Sequence, residues 1–240
     1  MAKRRMREAA FFLLTIFTIS CRYAEAPART SLPVVSVDDA PSTNLASSCV
    51  ENYDPGIDYF PDKVEFQHSV QVKVSYHPNY KVLSFQPSVL TQETFRYALV
   101  QCGTPAPSGF DPHELIRVPA ATFVTANQTI GSAIVALGLA DRLTGVSSYR
   151  GYTAEPIPER IRNKRIEELG GGTHSNIENT LALHPDLYFT FYSVYPQSNM
   201  HPKLWEVGIK AAPISDHTET TPLGRAEWLK YLSLFFNKER

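Results

Sequence analysis

The stretch Gly170–Tyr192, GGGTHSNIENTLALHPDLYFTFY, decides how this 240-residue chain is read. Three glycines ahead of a helix look like a phosphate cradle. A phosphate loop, however, needs GxxxxGK followed by Ser or Thr, with the lysine on the phosphates and the hydroxyl on magnesium. Here Thr-His-Ser follows the glycines, with no lysine. The dinucleotide fingerprint GxGxxG fails too, because Ser175 stands where its third glycine belongs. The plainer reading is that the glycines let the chain turn tightly between a strand and the next helix. Ser175 or Asn176 caps that helix, which runs through Leu183 with Glu178 in its first turn. Asp186–Tyr192 (DLYFTFY) follows as an aromatic, buried strand.

The same alternation extends both ways from this stretch. Upstream, IRVPAATFVT reads as strand, Asn127–Leu139 as an amphipathic helix, LTGVSS as a short strand and Glu155–Asn163 as helix. Downstream, Met200–Val207 reads as helix and IKAAPIS as strand. Strand and helix in repeated turn imply an α/β fold: a Rossmann-like parallel sheet with crossover helices. A β-rich segment precedes it. Residues 64–86 alternate apolar and polar on both sides of His77-Pro78-Asn79, which marks a hairpin. Phe95–Cys102 reads as a further strand and 103–112 as a loop. No internal repeat is visible.

At the amino end, MAKRRMRE is basic and Ala9–Ile19 is apolar. That run is too short to span a bilayer and fits a secretory signal. Cys21 follows a small residue just after it, as in a bacterial lipoprotein signal, though Thr18 stands where Leu is usual. Cys21 would then carry lipid and anchor the protein to a membrane. Cleavage near Ala24 or Ala26 would instead release a soluble protein. Both routes export the chain. Residues 21–60, rich in Pro, Ser, Ala and Asp, read as a flexible tether. In an oxidising compartment Cys49 and Cys102 are expected to bridge, with two buried thiols as the alternative.

The formal net charge of −1 and the lack of a basic stripe argue against a nucleic-acid partner. No CxxC pair suggests a zinc site. No GxSxG or HExxH motif supports a hydrolase, so a non-enzymatic role is expected. The seven histidines are scattered and read as surface or internally satisfied groups. Asp38-Asp39 and Glu167-Glu168 read as solvated acids.

Taken together, Leu137–Val146 (LGLADRLTGV), Asn176-Ile177-Glu178 and Leu181–Leu187 (LALHPDL) resemble one family. It is the periplasmic substrate-binding proteins of ABC importers for ferric siderophores, haem and cobalamin. The resemblance covers roughly residues 115–238. It implies two α/β lobes joined by one long helix, with ligand held in the cleft between them and no resident cofactor or metal. The first lobe would span 61–220, with a β-rich extension at 61–114 and an α/β core at 115–220.

In an open α/β sheet, ligand lies outside the carboxyl ends of the strands. That places Thr125, Asn127, Gln128, Ser148, Tyr149, Tyr192, Tyr195 and His217 near the cleft. Tyr149 resembles the position where cobalamin-binding members set an aromatic against the ligand. The competing reading is that Tyr149 and Tyr192 only pack at the lobe edge. The resemblance gives Glu178 a permease-docking role, beside its local role as an acid at a helix amino end.

The pattern departs from the family at the end. Thr221-Pro222 starts a helix, and Leu223, Ala226, Leu229, Leu232 and Phe236 recur at helical spacing. Trp228, Tyr231 and Phe235 make its other faces apolar, so it expects burial on several sides. Residues 221–240 would be the start of the inter-lobe helix, with the second lobe absent and the chain truncated. The expected function is capture of a metal chelate and its delivery to a membrane permease. The alternative is an envelope-anchored protein-interaction module derived from such a lobe.

Overall fold

A computed structural model describes residues 30–88, 91, 93–170 and 176–240. The signal at 1–20, Cys21, the tether up to residue 29 and the turn at 171–175 lie outside the described residues.

The β-rich segment forms a four-stranded sheet. It contains β3 (Val72–Tyr76), β4 (Tyr80–Phe85), β5 (Phe95–Gln101) and β6 (Leu115–Val118), in that order, after the short parallel pair β1 (Val34–Val35) and β2 (Cys49–Val50). The hairpin read from the alternation is β3–β4, antiparallel, with Tyr76 opposite Lys81. Strand β6 runs parallel to β5 and leads straight into the second sheet.

That second sheet has five parallel strands: β7 (Phe123–Thr125), β8 (Leu143–Val146), β9 (Glu167–Glu168), β10 (Leu187–Phe191) and β11 (Ala211–Ile214). Its order is β11-β10-β7-β8-β9. Helices α1 (Gly131–Ala136), α2 (Ile157–Arg162), α3 (Ile177–Leu183) and α4 (His201–Glu206) make the crossovers. The chain therefore winds outward from β7 to β9, crosses back, and winds outward again through β10 to β11. The expected α/β class and parallel sheet are what the chain forms.

Two expectations are corrected. The segment 30–60, read as tether, is packed onto the domain. Tyr59 and Phe60 are fully buried, and Val50 and Ile57 are buried too. Cys49 is joined to Cys102 in a disulfide. The Asn44 side chain donates to Glu239 Oε2 at 2.9 Å, and Arg142 donates to Ala46 O at 2.5 Å. The apolar anchors are sparse and unevenly spaced, so no period betrays them. Gly103 shows how tight the fit is: at φ +90° its missing Cβ would lie 1.9 Å from Val50 O.

The second correction concerns the last helix. No long helix runs from Thr221. The residues form two short ones, α5 (Pro222–Ala226) and α6 (Trp228–Leu234), joined through Glu227. Nor is α6 an exposed apolar helix. It lies between the two sheets: Tyr231 meets Phe85 of the first at 5.4 Å, and Phe236 meets Phe123 of the second at 5.0 Å. Tyr231 donates to Pro213 O at 2.9 Å, and Ala120 N donates to Phe235 O at 2.9 Å. The β-rich segment, which the family motifs do not include, supplies the cover for α6. Glu227 fixes the α5–α6 junction by accepting from the amides of Gln67, His68 and Ser69 at 2.8–3.0 Å.

Below α6, Lys81 of β4 is fully buried. It donates to Leu234 O at 2.7 Å, to Asn237 Oδ1 at 2.9 Å and to Glu239 Oε1 at 2.5 Å. Both side chains of the Lys81–Glu239 pair have 0% exposure.

Candidate functional site

The strand order reverses between β7 and β10. At such a switch point the loops leave the sheet in opposite directions and open a crevice at the strands' carboxyl ends. On that rule the crevice falls between the loop after Thr125 and the loop after Phe191, with the turn after Ile214 alongside.

Its floor is polar and buried. Asn127 is 2% exposed and caps a short 3-10 turn, accepting from Thr129 N at 3.0 Å. Thr125 is fully buried and accepts from Asn127 N at 2.9 Å. The Thr129 hydroxyl lies 2.7 Å from Asn127 Oδ1 and 2.9 Å from Asp216 Oδ2, linking the β7 loop to the turn after β11. It has one proton and can serve only one of them. Among the described residues, Asn127 Nδ2, Asp216 Oδ1 and, at the end of β10, Thr190 Oγ1 are buried with no hydrogen-bond partner, though His217 Nδ1 lies 4.0 Å from Asp216 Oδ1. A buried polar group left unpaired costs about 1–3 kcal/mol. One free donor and one free acceptor in the floor are therefore suited to a polar guest or to ordered water.

The rim holds the other expected residues. His217 is exposed and stacks on Phe191 at 4.6 Å, with the planes 16° apart. Burial lowers its pKa, opposed by Asp216 beside it. Gln128 is exposed and packs on Gly151, whose φ of +90° and missing Cβ leave that room. Ser148 is half-buried and accepts from Arg150 N at 3.3 Å. Tyr195 is 65% exposed.

Two expected residues are placed differently. Tyr192 is 1% exposed, edge-on to Phe95, with its hydroxyl 3.0 Å from Glu93 Oε2 and 3.2 Å from Thr91 Oγ1. It belongs to the core. Burial raises its pKa. Tyr149 is 37% exposed, but its hydroxyl donates to Ile166 O at 3.2 Å and accepts from Glu168 N at 3.1 Å. Its amide donates to Glu168 Oε1 at 2.9 Å. The ring is fastened to the edge strand β9, which is the lobe-edge packing that competed with a ligand role. Glu178 is exposed in the first turn of α3, beyond β9, and forms no ion pair among the described residues.

Sequence reasoning missed Asp216, Thr129 and Thr190. Asp216 was within reach, since it follows the strand IKAAPIS at the end where ligands lie. Among the described residues, no group of three or more His, Cys, Asp or Glu is arranged to hold a metal.

No family model matches the chain. An uncharacterised lipoprotein of Methanocaldococcus jannaschii is 29% identical over 92 residues, which is 38% of this chain and 22% of that protein. Solved structures that match include periplasmic binding proteins. The vitamin B12-binding protein of Vibrio cholerae is 23% identical over 47% of this chain and 48% of its own, with a TM-score of 0.32. The triscatecholate siderophore-binding protein of Bacillus subtilis is 19% identical over 52% of this chain and 40% of its own, with a TM-score of 0.37. A heme-binding protein of Pseudomonas aeruginosa is also among them, at 17% identity over 50% of this chain and 41% of its own, with a TM-score of 0.36. The chain spans about a fifth of the curated relative it matches and under half of each of these three structures.

Proposed function

We propose that this protein is an exported substrate-binding component of an ABC-type importer. It captures a metal chelate of the ferric-siderophore, haem or corrinoid class and passes it to a membrane permease. The observation that carries the reading is the buried polar cluster at the β7/β10 switch point. There a buried donor, Asn127 Nδ2, and a buried acceptor, Asp216 Oδ1, have no hydrogen-bond partner among the described residues, and Tyr195 and His217 nearby in the chain's loops are exposed. Chelates of this class are large, part apolar and edged with polar groups. A polar floor with an aromatic and an imidazole at its rim suits them. Glu178 docks the permease, and a lipid on Cys21 holds the protein at the membrane.

The test is quenching of Trp205 and Trp228 fluorescence by a ferric triscatecholate, haem and cyanocobalamin in turn. One of them binds with a Kd near or below about 1 µM, and Asn127→Ala weakens it about tenfold. Tyr192→Phe leaves binding unchanged, because that ring is in the core. Glu178→Ala preserves binding but lowers uptake. If none of the three binds at about 100 µM, the capture reading falls.

A second reading is favoured by one observation. The Tyr149 and Tyr192 hydroxyls are both used inside the domain, which leaves Tyr195 as the free aromatic of those expected at the crevice. On that reading the lobe is an envelope-anchored interaction module. It would ignore all three chelates and co-purify with another envelope protein.

A further inference from the structure

An apolar groove of about 800 Å³ opens at the amino ends of the parallel strands, the end of the sheet away from the crevice. Ala121 and Thr122 just before β7, Thr144 in β8, Asp186 just before β10 and Lys210 just before β11 form one side. The Cys49–Cys102 bridge and residues 30–32 form another. Leu32, Val100, Phe110, Leu115, Ile116 and Leu183 give it an apolar lining. Small-molecule sites usually enclose roughly 300–1,000 Å³, so this groove is of that size.

Its charges are unbalanced. Lys210 and Arg117 both line it, and neither is paired with a carboxylate among the described residues. Lys210 is half-buried and donates to Pro112 O, with two further protons to give. The carboxylate that lines the groove, Asp186, is already engaged. Its Oδ2 accepts from the amides of Ala121 and Thr122 at 2.9 and 3.0 Å. An apolar trough with two unpaired cations, whose own acid is committed to backbone amides, matches an apolar tail that ends in an anion.

We propose that this groove binds one straight-chain fatty acid or a similar anionic single-chain amphiphile. Its tail lies along Leu32, Phe110, Leu115 and Leu183, and its head group meets Lys210 and Arg117. Burial of its methylenes holds the tail, and the cations select the charged head. The site is separate from the crevice and does not depend on the chelate reading.

The probes are palmitate and its uncharged counterpart hexadecanol, titrated calorimetrically into the full chain below their aggregation limits. One palmitate binds per chain, and hexadecanol binds at least about tenfold more weakly. The double variant Lys210→Glu/Arg117→Glu weakens palmitate about tenfold and leaves hexadecanol unchanged. Ala106→Trp, a plug placed on the exposed loop at the groove, weakens both. Pre-incubation with a chelate that fills the crevice changes none of these results. Absence of saturable palmitate binding overturns the proposal. Equal binding of both probes, indifferent to charge reversal, overturns the head-group assignment. Concentration-dependent dimerisation that palmitate does not reverse would give the groove to a second copy, and would also overturn it.

Discussion

Replacing Glu239 with alanine tests how the centre of the molecule is held. The mutation removes the anion paired with Lys81, whose ammonium is fully buried among β4, Leu234 and Asn237. Burial already lowers the Lys81 pKa, and Glu239 opposes that effect. Removing one partner of a buried pair costs about 3–5 kcal/mol. Two hydrogen bonds to Lys81 survive here, so the expected loss is near the lower figure, about 3 kcal/mol. For a chain of this size that lowers Tm by about 6–12 °C. The loss has a pH signature. Without Glu239 burial lowers the folded-state Lys81 pKa further, while the unfolded chain keeps its ordinary value near about 10. The unfolded state then binds more protons, so the variant regains stability between pH 7 and 10 by up to about 1.4 kcal/mol per unit. Urea unfolding followed by Trp228 fluorescence at pH 7, 8 and 9 reads both effects. Lys81→Met/Glu239→Leu, which removes both charges, should cost far less than the two single changes added together. A Glu239→Ala cost under about 1 kcal/mol, or stability flat or falling with pH, would refute the reasoning, because water would then reach the pair.

Two further outcomes follow from the packing. His201 is 1% exposed, and burial with His113 nearby lowers its pKa from 6.5 to about 4. Glu93 lies 3.5 Å away but is 41% exposed, so solvent screens its pull. The unfolded chain takes up this proton first. Stability should therefore fall as pH drops from 6.5 towards 4, by up to about 3 kcal/mol, and His201→Gln should flatten the urea profile over that window. The Cys49–Cys102 bridge closes a loop with a sequence separation of 53. Its double serine variant should lose about 4 kcal/mol, read as a lower urea midpoint that added reductant no longer shifts.

The parallel sheet and the hairpin were legible because each strand and helix carries its own period. Asp186–Tyr192 was a strand in any context, and the cap of α3 fell at Ser175 or Asn176. Partners that cross between elements far apart in the chain were not legible. Tyr192 stands at the carboxyl end of β10, where ligand is expected, but Phe95 and Glu93 from the other sheet reach it and close it in. Tyr149 follows β8 as the motif suggests, yet its hydroxyl is taken by β9. Val50, Ile57, Tyr59 and Phe60 are buried without periodicity, because an irregular segment lies on a surface that others have shaped. The polar floor at Asp216 and Thr129 joins loops that are 87 residues apart in sequence, and no local pattern records such a contact.

The place of α6 between the sheets sets an order of events in the cell. Every strand of both sheets precedes Trp228 in the chain, so all are synthesised before the helix that joins them. A growing chain that has not yet reached Trp228–Phe236 has two half-cores, with Phe85, Tyr97, Phe123 and Phe189 uncovered. Contacts across such separations form slowly, and the chain stays open while it waits for them. The joining segment, made after every strand it packs against, is therefore the step on which closure of both half-cores depends.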